Sequence, residues 1–372
     1  MKIFRKSNYL SLPNLACLAP WRESFSVFDC HRSPENARHN SVLRAFVVSI
    51  LLAISLSAHA QPTAQILVAY AGQNETVGPM WVGIERGTFR KYGLDVRMVQ
   101  LRNGSLSMAT LASGQVQYNY GSPANALSAS AGGMRLQCVA SAVQKIPREL
   151  IARKEIRTLE DLRGKTFGVQ SIGGGFWLQT MIALEFLGID PDKYDLKMRI
   201  LGDTATVTQA LGSGGVDATV IPYSFSEAAK RAGANVLADI GKLPIPYQGT
   251  TICFLRDTPS SSPDTINRLL KGLVDSVLLI HNPAAKTDIT EILRKSFRFP
   301  RLEDAEASYK VLGQMATIEL LPDPAAWKIV QRIVARINPK VAQVDLNQLN
   351  NPTFVHALEE SGFLADARRK LR

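Results

Sequence analysis

Histidine and cysteine are scarce in this chain of 372 residues, five and four respectively. Only His281, His356, Cys138 and Cys253 lie beyond residue 60. The two histidines stand apart on helix-like stretches with no second ligand nearby in sequence, so no metal site is expected. Charge of one sign is not gathered anywhere either. From Gln61 on, 36 basic side chains face 29 acidic ones, a net +7, interleaved as in Lys154-Glu155, Glu160-Asp161 and Glu303-Asp304. Nucleic-acid binding needs basic residues clustered on one face among aromatics, so no nucleic-acid partner is expected. These charges read as solvated helix faces, with attraction of anionic solutes as the lesser use.

Catalytic patterns fail one by one. Gly164-Lys165-Thr166 has Leu159 where a phosphate loop needs glycine, and it precedes a β-like run instead of following one. Gly173-Gly174-Gly175 follows such a run, yet Leu178 stands at the third glycine position of a dinucleotide fingerprint. Ser171 lacks the leading glycine of a nucleophile elbow, and no histidine is placed to serve it. The expectation is a protein that is not an enzyme and carries no cofactor. Cys138 and Cys253 sit in separate β-like runs; they can pair in an oxidising compartment, but isolated cysteines in apolar strands read more readily as buried thiols.

No apolar run reaches the ~20 residues that span a bilayer. Residues 45–56 form an unbroken apolar stretch, preceded by Arg44 and followed by Ser57-Ala58-His59-Ala60. That is the pattern of a secretory signal, with cleavage expected after Ala60. A signal starting at Met1 is too long, and residues 1–41 have no export-like composition, so a start near Val42 is expected. The two cysteines of this leader are Cys17 and Cys30.

What the remaining chain does have is a repeat. Leu101, Leu111, Ser113, Gly114 and Val116 recur one hundred residues later as Leu201, Leu211, Ser213, Gly214 and Val216. In each copy a β-like run ends in a polar loop, a helix-like run opens from it, and a short strand and a second helix follow. The hydrophobic share of 46% is that of an ordinary globular protein, and the length is too great for one small core. Two lobes follow from both facts. Strands are expected at 66–71, 95–100, 136–142, 149–153, 166–170, 236–240 and 250–255, with helices over 80–92 and 176–187, a capped turn at Thr158-Leu159-Glu160-Asp161, and a largely helical chain from Pro263 onward.

Three segments then resemble one family. Arg86-Gly87-Thr88-Phe89 with Gly93-Leu94-Asp95-Val96, Leu111-Ala112-Ser113-Gly114-Gln115-Val116, and Leu159-Glu160-Asp161-Leu162-Arg163-Gly164-Lys165-Thr166-Phe167-Gly168-Val169 are similar, in order, to motifs of the nitrate/sulfonate/taurine (NMT1/THI5-like) group of ABC-transporter periplasmic substrate-binding proteins. The resemblance implies an α/β, two-lobed periplasmic binding protein of type II with two hinge crossovers and a helical C-terminal tail. It places a leader at 1–60, the first part of lobe 1 at 61–155, lobe 2 at 156–248, and the return strand, the rest of lobe 1 and the C-terminal helices at 249–372. Strands 149–153 and 250–255 would be the hinges.

Strand ends and helix N-termini bind ligands in such sheets, because unpaired N–H groups point outward there. Physics and resemblance together put Gly72, Gln73, Asn74, Gly104, Ser105, Ser122 and Pro123 of lobe 1 on the ligand, and Gly173, Gly174, Gly175, Phe176, Trp177, Thr204, Thr206, Tyr223 and Ser224 of lobe 2. Trp177 and Tyr223 can cover an apolar ligand body, with core packing as the alternative for each. Asp203 reads as a helix cap. Phe176, Trp177 and Tyr223 favour an organic sulfonate or carboxylate over nitrate. The expected function is capture of such a small-molecule ligand by a monomer and its delivery to a membrane permease. A secreted sensor module is the alternative, and last comes a thiamine-pyrimidine-synthase-like enzyme, whose cysteine-rich motif this chain lacks.

Overall fold

The structure is a computed structural model that describes residues 63–371. The expected signal, its cleavage site, Cys17 and Cys30 lie outside the described residues. Gln61–Arg372 forms one compact unit.

Among the described residues, ten strands make two five-stranded sheets of identical plan. The first holds β1 (Ala64–Tyr70), β2 (Leu94–Gln100), β3 (Tyr118–Gly121), β4 (Leu136–Ser141) and β10 (Thr251–Leu255), in the order β2-β1-β3-β10-β4. The second holds β5 (Arg148–Ala152), β6 (Thr166–Val169), β7 (Lys197–Ile200), β8 (Ala218–Pro222) and β9 (Asn235–Asp239), in the order β7-β6-β8-β5-β9. In each, the first three strands are parallel and the fourth, supplied by the other half of the chain, runs antiparallel to both its neighbours. All five residues of β5 and of β8 are buried, as expected for strands covered on both faces.

The hundred-residue repeat is structural. Helices α2 (Gly104–Ala112) and α3 (Pro123–Ala131) in lobe 1 correspond to α5 (Thr204–Ser213) and α6 (Tyr223–Arg231) in lobe 2. Asn103 caps α2 by accepting from Leu106 N at 2.9 Å, and Asp203 caps α5 by accepting from Thr206 N at 2.8 Å. Glycines recur where the backbone turns left-handed: φ is 75° at Gly114 and 79° at Gly214, 95° at Gly133 and 90° at Gly233. Side chains rarely tolerate that conformation, so the copies share the positions where only glycine is cheap.

The sheets shift one boundary. Arg148–Ala152, counted above with lobe 1, pairs with β8 and β9 and belongs to lobe 2. The crossovers are therefore 142–147 and 240–250, the loops rather than the strands beside them. They meet at Gly249, where a Cβ would overlap the Val143 carbonyl, so this contact admits only glycine. A second difference lies at 80–92. Helix α1 (Gly78–Glu85) ends early because Gly87 turns left-handed at φ 69°, and only a short 3-10 turn, Arg90–Tyr92, follows. The turn at Thr158 is present and capped reciprocally, Thr158 N donating to Asp161 Oδ2 at 2.9 Å and Asp161 N to Thr158 Oγ1 at 3.3 Å.

Cys138 and Cys253 are not thiols. They face each other on β4 and β10 and form a disulfide inside the lobe 1 sheet. Residues 115 apart become neighbours only when the returning strand β10 inserts beside β4, which isolated apolar runs do not reveal.

The C-terminal part is helical, as expected. Helix α7 (Pro263–His281) buries Ile266, Leu269, Leu270, Leu273 and Val277 against the lobe 1 sheet. Helices α8 (Lys286–Phe297) and α9 (Leu302–Met315) follow, and α10 (Pro324–Ala335) packs against α3 of lobe 1 and against α4 (Gly175–Phe186) of lobe 2. Glu185 on α4 holds Arg332 at 2.5 Å and Arg336 at 3.2 Å. Between α9 and α10 the chain pins both crossovers: Thr317 N donates to Ala142 O and Asp323 N to Gln248 Oε1, at 2.9 and 3.0 Å. Short helices α11 (Leu346–Leu349), α12 (Thr353–Glu360) and α13 (Phe363–Lys370) complete the fold. Among the described residues no helix is long and apolar enough to cross a membrane.

Candidate functional site

The parallel strands of both sheets end facing one another, and the loops that leave them open helices around a cavity of about 80 Å³. On the lobe 1 side the helix starts are closed by their own side chains. Asn74 Oδ1 accepts from Thr76 N at 3.0 Å, Ser122 Oγ from Ala124 N at 3.2 Å, and Asn103 caps α2 as described. On the lobe 2 side α4 starts at a glycine, Gly174, that offers no side chain. The first-turn N–H groups of α4 thus face the cavity without a built-in acceptor.

Glycine at this point serves close approach. A Cβ on Gly175 would lie 2.7 Å from Ser122 Cβ across the cleft, and one on Gly174 would lie 2.6 Å from Ser171 Oγ. The lobes therefore touch where the two helix starts meet.

Beside α4 stands Arg148, only 5% exposed at the first position of β5. Its Nε donates to Gln179 Oε1, its Nη1 to Val220 O at 3.1 Å, and its guanidinium lies 4.4 Å from the centre of the Phe176 ring. Gln179 in turn donates to the Tyr247 hydroxyl at 2.5 Å, so the second crossover braces the cation. Burial pushes the Arg148 pKa down to about 10, with Tyr247 and Glu75 opposing; it remains cationic at neutral pH. Neither bond uses Nη2, and Arg148 lines the cavity. A buried cation next to an uncapped helix start can do one thing well, which is to hold an oxyanion.

Of the residues expected on the ligand, Gly72, Asn74, Gly104, Ser122, Gly174, Gly175 and Phe176 line this cavity. The others are placed elsewhere. Gln73 donates to Ser296 O at 2.9 Å and accepts from Gln100 at 3.0 Å. Ser105, Pro123 and Gly173 lie outside the lining, Gly173 beneath Ile337. Thr204 Oγ1 accepts from Gln170, which does line the cavity, and Thr206 bonds Asp203. Trp177 is 4% exposed in a core cluster that draws on both lobes, and it lies outside the cavity lining. Tyr223 gives its hydroxyl to Asp239, away from the cavity, and burial pushes its pKa up. Ser224 N donates at 2.6 Å to Glu75, a residue of the opposite lobe.

Sequence reasoning missed Arg148, Gln179, Tyr247 and Glu75. One signal for Arg148 was available, a cation opening the strand Arg148-Glu149-Leu150-Ile151-Ala152 directly after Pro147. Glu75 is fully buried; burial raises its pKa, opposed by its own backbone N–H, by Ser224 and by the Arg148 charge.

Comparison with known proteins follows this geometry. A family model described as NMT1/THI5 like matches residues 74–285. YtlA of Bacillus subtilis (strain 168), named as a candidate binding protein, is 25% identical over 82% of this chain and 94% of its own length. The alkanesulfonate-binding protein SsuA of Xanthomonas axonopodis pv. citri, solved bound to MOPS, superposes with a TM-score of 0.60 at 18% identity, covering 78% of this chain and 97% of that one. The periplasmic nitrate-binding protein NrtA of Synechocystis PCC 6803 gives a TM-score of 0.63 at 12% identity, covering 82% and 91%. The fold is that of the two-lobed periplasmic binding proteins of type II.

Proposed function

Because the chain belongs to the NMT1/THI5-like family, we propose that it is the solute-binding component of an ABC importer, exported to the periplasm, where it closes two lobes on a small organic anion and delivers it to a membrane permease. The observation that carries this reading is Arg148, a buried cation set against the uncapped start of α4. Burying a guanidinium costs free energy that two hydrogen bonds offset only in part, and an oxyanion ligand supplies the rest. YtlA is named as a binding protein, while SsuA and NrtA are alkanesulfonate- and nitrate-binding proteins; the shared fold and the cation support an anion here.

The cavity also bears on the ligand's body. With Trp177 in the core and Tyr223 turned to Asp239, Phe176 alone of the three aromatics stays at the cavity, and Arg148 covers one face of its ring. A compact sulfonate or carboxylate fits better than one with a large apolar body. A thermal-shift screen of short alkanesulfonates, small carboxylates, nitrate and neutral analogues tests this. At least one sulfonate or carboxylate should stabilise the protein, and Arg148→Ala should weaken its binding by about 2–5 kcal/mol, roughly thirtyfold or more in Kd. Preference for neutral solutes, or wild-type affinity in folded Arg148→Ala, would refute the reading.

A further inference from the structure

Lobe 2 leaves two helix starts without a cap of its own. One is α4 at Gly174, which lines the cavity. The other is α6, whose N-cap position is Pro222 and whose start, with Tyr223 and Ser224, corresponds by the repeat to the α3 start that Ser122 closes in lobe 1. No ligand is needed there, because lobe 1 fills the place itself. Glu75 Oε1 accepts from Ser224 N at 2.6 Å and lies 3.4 Å from Ser308 Oγ, which donates to it from α9.

The contact is costly and specific. Glu75 is 0% exposed, and its second oxygen, Oε2, is buried with no hydrogen-bond partner among the described residues. A carboxyl group is an expensive residue to bury for packing alone. Only the closed approach of the lobes gives it a donor from lobe 2, and only that approach supplies α6 with a side-chain cap; with the lobes apart both groups return to water. Glu75 also follows Asn74 directly, and Asn74 both lines the cavity and caps the turn that Glu75 opens. A second tie, Arg231 on α6 to Asp304 on α9 at 3.2 Å, holds the same helix pair from the surface.

We propose that Glu75 is a closure clasp, a positioning residue that caps α6 from the opposite lobe and so sets the balance between open and closed forms, and with it the affinity for the solute. The proposal rests on the reading of the protein as a two-lobed capture device, yet its test requires no solute. Spin labels on non-natural amino acids at Arg90 in lobe 1 and Lys193 in lobe 2, both exposed, report the interlobe distance by pulsed dipolar spectroscopy. Glu75→Ala should raise the open fraction about tenfold, the scale of losing a helix cap. Glu75→Gln keeps an acceptor oxygen for Ser224 N and should leave the distance distribution near that of the wild type. In an Arg148→Ala background, which removes the cation of the cavity, acetate at high concentration should reclose Glu75→Ala by occupying the vacated cap, and leave the protein that keeps Glu75 unchanged.

A distribution in Glu75→Ala equal to that of the wild type would overturn the clasp. So would an opened Glu75→Ala that acetate fails to close, since the residue would then act only by filling space. Melting curves confirm that each variant is folded. If Glu75→Ala does not fold, Ser224→Pro removes the donor N–H from the other lobe at a first-turn position, where proline is tolerated, and must open the lobes for the clasp to stand. A failed anion screen combined with an opened, acetate-rescued Glu75→Ala would remove the anion-binding function and leave the clasp.

Discussion

The two lobes share one plan and differ in how their helices begin. At the strand ends that face the cleft, lobe 1 closes its own helix starts, with Asn74, Asn103 and Ser122 each accepting a first-turn N–H. At its matching strand ends lobe 2 does so through Asp203 and leaves α4 and α6 to be completed from outside. One is completed by Glu75 and the other faces the cavity beside Arg148. An uncapped helix start in a closed interface is thus a better pointer to a partner than a polar residue near a strand end, because a start already capped has little left to offer a ligand. The lobes also differ in their staples. Lobe 1 carries a disulfide across β4 and β10, while lobe 2 depends on α4 lying buried along most of its length.

That contrast can be broken at three points. The largest effect belongs to Trp177→Ala, which empties a core position of lobe 2 and should cost about 3–5 kcal/mol of stability. Affinity in the folded fraction should hold; thermal unfolding beside calorimetric titration at low temperature separates the two, and a stable variant with lost affinity would return Trp177 to the ligand. Replacing Cys138 and Cys253 by serine should cost about 2–5 kcal/mol, mostly through the freed unfolded chain. Hydrogen exchange should show faster opening of β4 and β10 in lobe 1 with β5 and β8 in lobe 2 little changed, whereas equal loosening of both lobes would contradict separate staples. The smallest effect is expected from Gly175→Ala, where the new methyl meets Ser122 across the cleft. Overpacking of that contact should weaken solute binding by about 1–3 kcal/mol with little change in melting temperature. Unchanged affinity would mean that the lobes need not meet at this point for binding.

The repeat was legible because its signals are local. Asn103 and Asp203 cap within three residues of themselves, and Gly114, Gly214, Gly133 and Gly233 mark left-handed turns that few other residues accept. Strand positions were equally readable from runs of apolar residues, though not their membership: nothing in Arg148–Ala152 itself says that it crosses to the second sheet. The site was half legible for the same reason. Glycine and small polar residues at strand ends showed where the cavity lies, while the groups that give it charge and closure come together over long separations. Gln179 lies 31 residues from Arg148, Tyr247 lies 68 from Gln179, and Glu75 lies 149 from Ser224. Trp177 falls outside the cavity lining because a helix turns by about 100° per residue, so its neighbour Phe176 can face the cavity while Trp177 faces the core.

The central claim is that an oxyanion lies between Arg148 and the start of α4. A crystal structure with the sulfonate or carboxylate that binds best in the screen tests it most directly. The anion's oxygens should lie within hydrogen-bonding distance of Arg148 Nη2 and of the Gly175 and Phe176 amides, with Glu75 still on Ser224 N. An anion found at the start of α6 in place of Glu75, or outside the cleft with Arg148 untouched, would contradict the account.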